Sequence, residues 1–74
     1  MNVSMEKLGA NIRRVRKEKG MSVDELAEKA YATEEYVVRA EAGKKQFTIQ
    51  ALMTFCDALG VEPSVLLDGV AEKE

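Results

Sequence analysis

The chain has 74 residues, 46% of them apolar and 32% charged, with a net charge of −2; that balance suits one folded domain near the lower size limit and excludes a disordered polyelectrolyte. It has no histidine, one proline and one cysteine, Cys56, which excludes an internal disulfide and a cysteine-based zinc framework. No stretch approaches the roughly 20 apolar residues of a membrane helix, and MNVSMEKLGANIRR (1–14) lacks the continuous apolar core of a secretory leader, so a cytoplasmic location is expected.

Few β-branched residues and a single proline predict an all-α fold. Met5, Leu8, Ile12, Val15 and Lys19 recur at three- and four-residue steps, which marks an amphipathic helix from about Ser4 to Lys19. Ser4 can cap it and Gly20 can end it. Ser22-Val23-Asp24-Glu25 is a capping box opening a second helix, whose buried stripe is Val23, Leu26, Ala27 and Ala30. Tyr31-Ala32-Thr33 breaks the periodicity. Thr33 then caps a third helix to about Ala42, with Val37 and Ala40 inward and Gly43 as its stop.

After a loop from Lys44 to Phe47, Thr48 caps a fourth helix in which Ile49, Leu52, Phe55, Cys56 and Leu59 share a face, ended by Gly60. Cys56 lies in that apolar stripe and is expected to pack rather than react. Pro63 suits the first turn of a short fifth helix containing Val65, Leu66 and Leu67. The expected architecture is one domain over 1–74, a compact five-helix bundle ordered from about 5 to 68, with a frayed tail at 69–74.

Charge is unevenly placed. Residues 5–20 carry Lys7, Arg13, Arg14, Arg16, Lys17 and Lys19 against Glu6 and Glu18, a net +4. Residues 21–43 carry Asp24, Glu25, Glu28, Glu34, Glu35 and Glu41 against Lys29 and Arg39, a net −4. An anion-binding face must therefore draw on the first helix and the Lys44-Lys45 pair. Enzymatic chemistry has little to stand on: there is no histidine, no glycine-rich phosphate loop and no nucleophile–base pair. No cofactor or metal is implied.

Two short helices joined by a tight turn, in the order IRRVRKEKGMS (12–22), DELAEKA (24–30), Glu41-x-Gly43-Lys44 and LGVEPSVLL (59–67), resemble the Cro/CI-type (XRE-like) family of helix-turn-helix domains. The resemblance covers about residues 8 to 67. It implies a lambda-repressor-like DNA-binding fold, with the helix-turn-helix in helices 2 and 3 and a recognition helix at about Glu34–Ala42 in the major groove. It also implies that Arg16 and Glu41 form a structural ion pair.

On that resemblance, base contacts fall to Glu35, Val38 and Arg39. Arginine pairs two-pronged with guanine, and glutamate accepts from cytosine N4. Phosphate contacts fall to Arg13, Arg14, Thr33, Tyr36, Lys44 and Lys45, although Tyr36 can equally pack and the Arg13–Lys17 cluster can equally be a solvated helix face. Glu34 and Glu35, next to the Thr33 cap, favour the helix dipole, or else select partners by charge. Two positions depart from the family's habit. Val23 stands where a backbone-contacting glutamine is common. Tyr31 replaces the usual glycine of the turn, which leaves open a strained tyrosine or a turn of different shape.

The expected function is a dimeric, sequence-specific regulator binding double-stranded DNA, with the second copy meeting Val65, Leu66, Leu67 and Val70. The alternative is a protein-interaction or antitoxin-like module of the same fold, with weak or lost DNA binding.

Overall fold

The computed structural model describes residues 2–72. Five helices make the body: α1 (Met5–Glu18), α2 (Val23–Lys29), α3 (Glu34–Glu41), α4 (Ile49–Leu59) and α5 (Pro63–Leu66). Two two-residue strands, β1 (Asn2–Val3) and β2 (Ala71–Glu72), pair antiparallel and join the ends of the described chain.

The caps written in the sequence form as local chemistry dictates. Ser4, Thr33 and Thr48 each accept a hydrogen bond from the amide three residues on, and Ser22 and Glu25 form a reciprocal capping box. The ends of the first three helices are also alike. The amides of Met21, Ala32 and Lys44 reach back to the carbonyls of Arg16, Ala27 and Arg39 at 3.0, 2.9 and 2.9 Å. This closure needs one left-handed residue, supplied by Gly20, Tyr31 and Gly43 respectively.

Leu8, Ile12 and Val15 of α1 meet Leu26 and Ala27 of α2, Val37 of α3, Phe55, Cys56 and Leu59 of α4 and Leu66 of α5 in one apolar core. Burial pushes the Cys56 thiol up from its ordinary range. Asn11 is the polar member of this interior. Its side-chain amide donates to the carbonyls of Leu66 and Asp68 at 2.8 and 2.9 Å, tying α1 to the end of α5.

Two sequence expectations change here. Ile49 does not share the inward face of α4: it is 80% exposed, because it sits in the first turn, at the rim of the bundle, and the buried stripe starts at Leu52. The tail from Gly69 is not simply frayed. Gly69, at φ 71°, turns the chain back, Val70 is buried, its carbonyl accepts from the Ser4 amide at 2.9 Å, and Ala71 pairs with Val3. Lys73 and Glu74 lie outside the described residues.

Candidate nucleic-acid interface

The position of α3 is fixed by close backbone contact with α1. A Cβ on Gly9 would collide with the carbonyl oxygens of Ala40 and Glu41. One on Gly43 would lie 2.7 Å from Cα of Glu6. Small residues at these two positions let the start of α1 lie directly across the end of α3.

The Arg16–Glu41 pair locks the same crossing. Arg16 Nε donates to Glu41 Oε2 at 2.6 Å and Nη2 to Oε1 at 3.1 Å, while Nη1 donates to the Met21 carbonyl at 2.8 Å. Both side chains are about nine-tenths buried. This two-pronged geometry neutralises both charges and spends them on structure.

With Val37 and Ala40 buried, Glu41 engaged and Tyr36 half-buried, the outward face of α3 is settled by the 100° step between helical residues. It carries Glu35, Val38, Arg39 and Ala42, all exposed, at spacings of three and four. Ala42 was not singled out from the sequence. Its spacing of four from Val38 is the signal that finds it. Glu34 stands exposed on the flank of the stripe.

Beside this stripe lies an open hollow of about 310 Å³ lined by Arg13, Arg16, Val23, Val38, Glu41 and Ala42. It brings Arg13 of α1, the first residue of α2 and the outward face of α3 together. Arg14 does not line it, because one residue along α1 is 100° around the helix. Lys44 and Lys45 come after the Ala42–Gly43 end of α3 and are exposed.

Tyr36 packs through its ring. Its ring stacks on Phe55 at 6.0 Å and meets Phe47 edge-on at 6.4 Å. Lys45 Nζ stands 5.1 Å from the Tyr36 ring centroid, a cation–π contact that holds this ammonium beside the start of α3. Thr33 spends its hydroxyl as a cap acceptor for the Tyr36 amide at 3.0 Å.

The turn between α2 and α3 resolves the tyrosine question. Tyr31 adopts φ 55°, so the turn keeps the shape a glycine would give it and the strain falls on the tyrosine. Its side chain is 94% exposed. At the start of α2, the Ser22 hydroxyl donates to Asp24 and holds that carboxyl below its usual range. That carboxyl lies in the first turn of α2, where it favours the helix dipole.

The family model of the Cro/C1-type HTH DNA-binding domain matches residues 11–72, a span that takes in the hollow, the strained turn and the α3 stripe. The chain belongs to this family. No curated protein sequence matches it.

Solved structures resemble this Cro/C1-type domain along most of its length. The restriction-modification controller protein C.AhdI from Aeromonas hydrophila is 29% identical, with 84% of this chain and 94% of that chain covered and a TM-score of 0.81. The clp gene regulator ClgR from Corynebacterium glutamicum is 33% identical over 90% of this chain and 87% of its own, with a TM-score of 0.84. The controller protein C.Esp1396I, seen as a tetramer with its natural 35 base-pair operator, is 26% identical over 93% of this chain and 91% of its own, with a TM-score of 0.81. The Cro/C1-type domain is therefore a DNA-binding regulator fold and not an enzyme scaffold, and among the described residues no cluster of ligating side chains fit for a metal occurs.

Proposed function

We propose that the domain regulates transcription by binding double-stranded DNA as a homodimer, with α3 in the major groove. The observation that carries this reading is the exposed stripe of α3 beside the Arg13-lined hollow. Glu35, Val38 and Arg39 face base edges, and Arg39 is the guanine reader. Arg13, Lys44 and Lys45 hold phosphates, while Val23 at the start of α2 supplies no polar group. Arg14, which does not line the hollow, and Thr33 and Tyr36, whose cap oxygen and packed ring leave each hydroxyl able to donate, are secondary phosphate candidates.

The dimer face is revised by burial. Leu66 and Val70 belong to the core at 0% and 1% exposure, so neither is free to meet a second copy. Val65 and Leu67 on and after α5 remain exposed, as do Ile49 and Met53 on α4, and these are the apolar positions a partner copy would cover. Changing Val65 and Leu67 together to glutamate is expected to leave a folded monomer in sedimentation. A parent chain already monomeric at working concentration would remove the dimer from the reading.

DNA binding is tested with mixed-sequence duplexes at two salt concentrations. Three cations per copy, six in a dimer, predict a loss of roughly a thousandfold between about 50 and 200 mM salt. Arg39→Ala should relax sequence preference, whereas Lys45→Ala should weaken all duplexes alike. The interaction-module alternative draws on the exposed Glu34 and Glu35, which offer a docking face to a basic protein. Failure to bind any duplex at the lower salt would decide in its favour.

A further inference from the structure

The outward face of α3 is half apolar. Val38 is 54% exposed and Ala42, one turn on, is exposed too. Neither side chain can hydrogen-bond, so their contribution in a groove is contact with an apolar group. Base edges in the major groove carry one such group, the methyl at pyrimidine C5.

The surroundings sharpen this. Val23 extends the apolar wall of the hollow, and Arg16 and Glu41, which line it too, have used their charges on each other. On the same stripe, Arg39 follows Val38 directly, and Glu35 precedes it by three residues. Glu35 and Arg39 lie about 6 Å apart along the helix axis, less than two base-pair steps of about 3.4 Å. A methyl contacted by Val38 therefore lies in the base pair read by Arg39 or one close beside it.

Resting on the α3-in-groove reading above, we infer that each half-site presents a pyrimidine 5-methyl group to Val38 and Ala42, beside a guanine taken by Arg39. Thymine supplies such a group, and so does 5-methylcytosine. Glu35 separates the two. Its carboxylate accepts from an amino group and repels the O4 of thymine, so with thymine it must face a neighbouring base. With 5-methylcytosine the same base satisfies both Glu35 and Val38.

The test starts from duplexes selected by the full chain out of random sequence. Each thymine is replaced singly by uracil, and each cytosine by 5-methylcytosine. We expect one position per half-site, within two base pairs of a guanine, where removing the methyl weakens binding about fourfold, or where adding it strengthens binding by that factor, as suits one buried methyl. The first result identifies thymine and the second 5-methylcytosine. In Val38→Ser, a change at an exposed site that leaves the fold intact, that methyl effect should fall clearly, with only the Ala42 contact left. Selected duplexes indifferent to both replacements would overturn the inference while leaving DNA binding in place, as would a methyl effect unchanged in Val38→Ser. Recovery of no duplex at all would overturn the α3 reading and this one with it.

Discussion

Tyr31 is the residue at which this chain departs most sharply from what its turn asks for. A left-handed backbone costs a residue with a Cβ about 1–2 kcal/mol, and a side chain 94% exposed returns little packing to offset it. Glycine would relieve the strain but widen the unfolded ensemble by about 0.5–1 kcal/mol. Tyr31→Gly should therefore stabilise the domain by about 0.5–1 kcal/mol, raising Tm by several degrees in thermal unfolding. A lower Tm would mean that the ring, which borders the shallow hollow near Ala51 and Thr54, contributes more than its exposure suggests. The neighbouring acids need no such account: Glu34 and Glu35 occupy the first turn of α3, where carboxylates suit the helix dipole.

Among the elements, the crossing of α1 over α3 decides where the stripe points. Glu41→Ala would strand the Arg16 guanidinium, whose side chain is only 10% exposed, and should cost about 3–5 kcal/mol in urea unfolding. Replacing both partners, Arg16→Met with Glu41→Leu, should recover most of that loss. A cost below about 1 kcal/mol for the single change would make the pair an ordinary surface contact. Helix limits and caps were legible in the sequence because capping is local: Ser4, Ser22, Thr33 and Thr48 bond amides three residues away. Positions that depend on what the fold brings alongside were not. Ile49 fits the apolar period of α4 but lies at the rim, and nothing local marks Asn11 for burial, since the two carbonyls it binds come from the end of α5, more than fifty residues away. In the candidate interface, Glu35, Val38 and Arg39 were legible through the family resemblance, whereas Ala42 and the separation of Arg13 from Arg14 depend on which flanks of α3 and α1 are buried.

At the scale of the whole molecule, the two ends of the described chain close the bundle. Val70 is 1% exposed and its carbonyl takes the Ser4 amide, which also orients the residue that caps α1. A small domain has only about 5–15 kcal/mol of net stability, so one buried valine, at about 1.5–3 kcal/mol, is a substantial share. A chain ending at Gly69 should unfold at clearly lower urea than the 74-residue chain, by about 2–3 kcal/mol. Where both chains are folded, their DNA affinity should be the same, because α3 is held by α1 and α2 and not by the strand pair. Equal urea midpoints would show that the tail from Gly69 adds nothing to the core and that Val70 remains available to a second copy. A shortened chain that is folded but binds DNA more weakly would instead place the terminal clasp in the dimer, coupling the closed ends of one copy to the spacing of its half-sites.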